Sequence, residues 1–202
     1  TSTPQGPPPP KETGQVPVPT ATNTRVGSTP TRTATSGTPT VTATPGGTNC
    51  TELILNGDFE AFELHWQLIG QELVSNQRPH AGTYGAYLGD LNDVDDNMWQ
   101  VVSIPGSASR VDFSYWRRME TEDTGSAVHD SMFTQVRSQD GATVRSTLET
   151  ITNRSTANTW ERGTFSLTSY RGETVRIQFN ARTDVSLSTD FFFDDVSLLS
   201  CP

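Results

Sequence analysis

The two cysteines of this chain, Cys50 and Cys201, stand at the edges of everything in it that can fold. Before Cys50 lies a proline- and threonine-rich tract, with stretches such as "GPPPP" and "TPTRTATSGTPTVTATPGG" and no aromatic residue. Such a segment cannot bury enough apolar surface to offset about 1–2 kcal/mol of backbone entropy per residue. Residues 1–48 therefore read as a disordered, extended linker or stalk, of a composition that O-glycosylation also favours outside the cell. Between the cysteines lie all four Trp, all four Tyr and all nine Phe. A segment of about 150 residues can bury about 68–70% of its unfolded surface, so one substantial core is expected over 49–202.

The position of the cysteines also limits their chemistry. A metal site needs further ligands nearby and a catalytic thiol needs a partner base; neither accompanies Cys50 or Cys201. A disulfide joining the two ends of the domain is the expectation. It would close a loop of about 150 residues, worth several kcal/mol in the chain-entropy account, and it implies an oxidising, secreted or cell-surface location. The chain starts at Thr1 without an initiator Met or signal peptide, as expected of a C-terminal piece tethered by its stalk to an upstream domain.

Net charge is −9, and the tract contributes Lys11, Arg25 and Arg32 against Glu12, so the domain carries about −11. That disfavours a nucleic-acid partner, which needs clustered cations, and an anionic membrane surface. No run reaches the roughly 18 apolar residues of a membrane span. No lysine lies beyond the tract, leaving arginine as the domain's permanent cation.

Long helical periodicity is absent. Short alternating runs separated by Gly, Asn, Asp and Ser recur instead. In "ETVRIQFNAR", Val175, Ile177, Phe179 and Ala181 face one way and Arg176, Gln178, Asn180 and Arg182 the other. "RVDFSYW" and "SMFTQVRS" alternate likewise. Further strands are expected at 52–55, 65–68, 72–75, 83–88, 98–104, 143–151, 160–167 and 190–199, with a hairpin turn at the Asp140-Gly141 of "QDGAT". About ten such strands predict an all-β, two-sheet antiparallel jelly-roll sandwich. If the cysteines bond, the first and last strands lie side by side. "LILNGDFE" at 53–60 would then meet "FFFDDVSLLSC" at 191–201, bringing Asp58 and Glu60 towards Asp194 and Asp195.

Carboxylates gathered in this way repel one another and are costly to desolvate. Either a Ca²⁺ sits between them, drawing also on free carbonyls of the 56–58 turn, or the acids point to solvent or pair with arginines. A second acidic stretch, "GDLNDVDDN" at 89–97, lacks the spacing of an EF-hand loop and reads as a solvated loop, with a second, weak cation site as the alternative.

The ordered pieces "LILNGDFE", "HWQLIG", "RPHAGTYGAYLG", "MWQVVSIP", "RVDFSYW", "TWERGTFSLTSYRGETVRIQFNARTD" and "FFFDDVSL" give residues 52–199 a resemblance to the galactose-binding-like jelly-roll domains. The chain is especially similar to bacterial carbohydrate-binding modules and to accessory domains appended to secreted peptidases. The resemblance implies a structural calcium with Glu60 and Asp194 as side-chain ligands. Asp58 and the His80–Thr83 loop would contribute carbonyls, and Asp195 is a further candidate beside Asp194.

No G-x-S-x-G, H-E-x-x-H, Walker or G-x-G-x-x-G motif is present, and His65, His80 and His129 sit in separate segments. A non-catalytic accessory module is expected, with a polysaccharide or other glycan as partner. The alternative is a protein-interaction or stabilising domain with no glycan. Sugars are bound by aromatic rings and by planar polar side chains that meet hydroxyls in pairs. Trp116 and Arg118, Gln135 and Arg137 with Phe133, and Gln178 and Asn180 with Arg182 supply such groups, and would form one platform if their strands share a sheet. Trp66, Trp99 and Trp160 read as core or edge packing.

Overall fold

The structure, a computed structural model, describes residues 49–70 and 73–202. The expected linker over 1–48 lies outside the described residues. The strands are Thr51–Glu52 (β1), Gln67–Ile69 (β2), Val74–Ser75 (β3), Gly85–Gly89 (β4), Asp95–Ser103 (β5), Arg110–Thr121 (β6), Ser131–Ser138 (β7), Val144–Thr152 (β8), Glu161–Ser166 (β9), Thr174–Arg182 (β10) and Thr189–Cys201 (β11). One sheet has the order β3-β4-β11-β6-β9, with β1 also on β11, and the other β2-β5-β10-β7-β8. Every pairing is antiparallel. This is the two-sheet jelly-roll sandwich that the alternating runs predict, and "QDGAT" joins β7 to β8 as a hairpin. Among the described residues no helix is long and apolar enough to cross a membrane.

The apolar faces of the two sheets meet in one core. Its centre is aromatic. Phe193 of β11 stacks on Phe179 of β10 with centroids 4.1 Å apart, and Phe59 closes on Phe193 at 5.7 Å and on Trp66 at 5.2 Å. Phe59 belongs to "NGDFE" and is fully buried, so the turn that follows the first strand is pinned by its own core residue.

Strand β11 organises the closure. Its first half, Asp190 to Phe193, pairs with β4, and its second half pairs with β1 through Ser200 and Leu199. Between the halves the register against β6 slips from Asp194 to Ser197, and Asp195 takes φ 49°. The 56–58 turn fills the interval, with Val196 N–H donating to the Gly57 carbonyl at 2.8 Å. A Cβ at Gly57 would fall on the Val196 carbonyl oxygen, so glycine is what permits this approach. Cys50 and Cys201 are disulfide-bonded just beyond. The first and last strands therefore lie side by side, as expected.

The first strand is shorter than the 52–55 expected. Leu55 donates its N–H to the Gln100 side-chain oxygen at 3.2 Å and receives the Gln100 amide on its carbonyl at 2.6 Å. A side chain of β5 thus takes the place of a neighbouring strand, and the chain turns at Asn56, φ 52°.

Candidate functional site

The acids of "NGDFE" and "DDV" do not form one carboxylate cluster. Two of them converge on one loop, residues 80–84. Glu60 Oε1 accepts the N–H groups of Thr83 at 2.6 Å and Tyr84 at 2.9 Å, which holds its carboxyl below the usual range. Asp194, fully buried, accepts the N–H groups of His80 (2.8 Å) and Ala81 (3.2 Å) on Oδ2 and that of Asp195 (2.7 Å) on Oδ1. Burial outweighs these bonds and raises its pKa to about 6. Asp58 is directed to the N–H of Glu60 at 3.4 Å, and Asp195 to His80 Nδ1 at 2.7 Å.

A calcium at this closure would have Glu60 and Asp194 as its side-chain donors, both of which already accept backbone N–H groups. Two carboxylates meet opposite ends of one short loop, and a Cβ at Gly82, φ +65°, would fall on Glu60 Oε1, so glycine lets that carboxylate close on the backbone. Among the described residues no three His, Cys, Asp or Glu side chains gather at a metal-sized point. Backbone carbonyls would have to complete the coordination, which suits a hard oxygen-seeking cation.

The platform assembled from the sequence is divided by the fold. Trp116 and Arg118 belong to β6 in one sheet; Gln135 and Arg137 on β7 and Gln178 and Asn180 on β10 belong to the other. Alternation along a strand reveals which residues share a face, but not which sheet the strand joins. Trp116 is stacked under His80, with centroids 4.1 Å apart and planes at 16°, and Trp160 meets the same imidazole edge-on at 5.3 Å. Arg118 is tied to Glu120 at 2.6 Å, which also holds Arg78.

The four residues of the second sheet do come together. Gln178 lies directly between Trp99 of β5 and Gln135 of β7, and Asn180 between Asn97 and Phe133. Arg176, one step along, lies opposite Arg137. Directly opposed residues share a face, and this one looks away from the core. The Arg176 guanidinium lies 3.7 Å from the centre of the Trp99 ring. Trp99, Asn97 and Arg176 are the functional candidates that sequence reasoning missed.

This face carries planar amides in a fixed array. Asn97 Nδ2 donates to Asp95 Oδ1 at 3.1 Å, so its Oδ1 turns to Gln178 and receives Nε2 at 2.5 Å. Gln178 is 3% exposed, and its Oε1 has no partner among the described residues. Asn180 donates to Asp95 Oδ1 at 2.5 Å, while Gln135 accepts Arg137 Nη1 at 2.9 Å. Chemically the face offers two aromatic rings, Trp99 and Phe133, several oriented amides, the arginines Arg137, Arg176 and Arg182, and a buried acceptor without a protein partner among the described residues. The histidines are placed elsewhere: His80 beside Asp195, and His129 3.2 Å from Asp184.

No protein-family model matches the sequence, and no curated protein matches it. Solved structures do share the fold. TmCBM61, a carbohydrate-binding module solved in complex with β-1,4-galactotriose, aligns at 19% identity and TM-score 0.53 over 74% of this chain and 98% of its own. The K3 cleaved adhesin domain of Lys-gingipain from Porphyromonas gingivalis aligns at 15% identity and TM-score 0.54 over 73% and 98%. An arabinose-bound α-L-arabinofuranosidase, MgGH51, aligns at 13% identity and TM-score 0.50, over 79% of this chain but 27% of its own. At such identities the likeness is one of fold, and the fold shared is the two-sheet jelly-roll sandwich.

Proposed function

We propose that this chain is a non-catalytic accessory module of a secreted or cell-surface protein, and that it binds glycan on the outer face of the sheet β2-β5-β10-β7-β8. One observation carries the reading: the buried, unpartnered Oε1 of Gln178, set between Trp99 and Gln135. An acceptor left unsatisfied in the free protein costs about 1–3 kcal/mol, and a sugar hydroxyl is a donor of the right size and polarity to relieve it. Neighbouring amides would meet further hydroxyls in pairs, and Trp99 and Phe133 would supply apolar surface for the ring C–H groups. The solved complex of TmCBM61 with galactotriose supports the reading as a relative of the same fold. The Cys50–Cys201 disulfide supports an oxidising location. The 1–48 tract would tether the module to an upstream domain and leave it free to search a polysaccharide surface.

Affinity electrophoresis of the whole chain against a panel of neutral and acidic polysaccharides tests this. Retardation on at least one polymer, lost in Gln178→Ala and Trp99→Ala and kept in Arg110→Gln on the other sheet, is the expected result. No retardation on any polymer overturns it. The second reading, a protein-interaction or stabilising domain without a glycan, is favoured by the covered rings: Trp116 under His80 and Trp99 under Arg176. It gains if the panel is negative.

In the same proposal a calcium, held by Glu60, Asp194 and carbonyls of the 80–84 loop, would staple the closure and take no part in ligand contact. Thermal unfolding with and without EDTA is the check. A melting temperature indifferent to EDTA would sink the calcium and leave the binding face untouched.

A further inference from the structure

Most arginines on this acidic domain are neutralised. Arg78, Arg110, Arg117, Arg118, Arg145 and Arg182 each lie against a carboxylate. Arg137, Arg154, Arg162, Arg171 and Arg176 form no such pair among the described residues, and of these Arg137 and Arg176 stand together. They are directly opposed across β7 and β10, and among the described residues neither has a carboxylate within 4.0 Å. Like charges placed opposite each other on a sheet are destabilising. Burial and the nearby Arg137 charge both lower the Arg176 pKa.

The fold nevertheless holds the two together. Arg137 Nε donates to the Gly141 carbonyl at 2.9 Å, and a Cβ at Gly141 would fall on Arg176 Nη1. Both guanidinium groups thus converge on the β7–β8 turn, where Gly141 takes φ +78°. Arg176 Nε is buried without a partner. Stacking on Trp99 leaves the guanidinium donors in their own plane, so the ring orients the fork without consuming it. The other charged pair on this face, Asp95 with Arg182, is already matched at 3.3 Å.

We propose that the glycan bound by this face is anionic, its carboxylate or sulfate ester received between Arg137 and Arg176 beside the Gln178 acceptor. The inference rests on the glycan-binding reading above and names the ligand class. Two converging guanidinium forks match a planar carboxylate or a sulfate by paired charge-assisted hydrogen bonds. The surrounding acidity discourages general adsorption of polyanions by a chain of net charge −9. Retention of one would therefore report a local site.

The test uses the full chain and matched polymers: polygalacturonate and alginate beside their carboxyl-reduced forms, and a sulfated galactan beside its desulfated form. At least one charged polymer is expected to bind about tenfold or more tighter than its neutral counterpart, weakening as NaCl is raised. The preference should vanish in Arg137→Gln and Arg176→Gln, return in part in Arg137→Lys, and persist in Arg110→Gln. Equal or tighter binding of every neutral counterpart overturns the anionic ligand but leaves glycan binding standing. An anionic preference that survives both glutamine variants, each folded by circular dichroism, overturns the assignment to this pair. Failure of every polymer to bind overturns both readings.

Discussion

Replacing Gln178 by methionine should make the free protein more stable and the binding protein useless. Gln178 is 3% exposed; its Nε2 is given to Asn97 and its Oε1 to nothing among the described residues. The orphan acceptor costs about 1–3 kcal/mol, and the bond to Asn97 returns about 0.5–1.5 kcal/mol. Methionine has nearly the same length and volume, removes the acceptor and keeps the packing. Asn97 is half-buried, so water can reach the oxygen released. The balance is a gain of about 1 kcal/mol, a rise in melting temperature of about 3 °C for a domain of this size. Urea unfolding followed by tryptophan fluorescence gives the free energy, and affinity electrophoresis gives the binding. Loss of at least about tenfold in affinity is expected, since one buried polar contact is worth about 1.4 kcal/mol or more. A variant about 1 kcal/mol less stable than the parent would show that Gln178 serves the fold. Unchanged affinity would show that the orphan oxygen does not face the ligand. Either result refutes the argument from the unpartnered acceptor.

Other parts of the structure make independent predictions. Cys50 and Cys201 are 151 residues apart, and loop closure of that length gives a ceiling of about 5 kcal/mol; a Cys50→Ser, Cys201→Ser double variant should lose about 2–5 kcal/mol in denaturant titration. Gly57→Ala should cost about 1–3 kcal/mol, because the new Cβ meets the Val196 carbonyl, with hydrogen exchange rising first around Val196. Asp190 has its pKa raised to about 6 by burial and by Asp90, Glu120 and Glu122. An acid with a raised folded pKa is penalised above that pKa, and the penalty lifts as pH falls from about 6 to about 4. Discounted for partial exposure, Asp190→Asn should stabilise by about 1 kcal/mol at pH 7.5 and by nothing at pH 4; an equal gain at both values would remove charge as the cause.

How much could be read from the sequence depends on what each signal encodes. Alternation in "ETVRIQFNAR" separates Ile177 and Phe179 from Gln178 and Asn180, and the structure keeps that separation. The cysteines at the domain edges place β1 against β11. Sheet membership is not encoded locally. "RVDFSYWRR" has the pattern of any half-buried strand, so nothing in it assigns Trp116 to the sheet opposite Gln135. Strand order follows from long-range pairing, in which each strand is chosen by partners far away in the chain.

Trp99 was hidden for a different reason. In "DDNMWQVVS" the inward set is Asp96, Met98, Gln100 and Val102, and the outward set is Asp95, Asn97, Trp99 and Val101. Each set mixes polar with apolar residues, so hydrophobicity gives no preference between the two faces. The inward polar residues have local work: Gln100 replaces a strand partner for Leu55, and Asp96 accepts the Gly89 N–H at 3.0 Å. The outward tryptophan lies between Gln67 and Gln178 in the sheet and is stacked by Arg176. A large ring turned from the core, stacked by an arginine without a carboxylate and set beside a buried orphan acceptor, breaks three local rules within three neighbouring positions. Departures from local consistency that the fold does not need are expected where a ligand completes the arrangement. On this sheet those departures meet at Trp99, whereas Trp116 lies in the other sheet, stacked under His80.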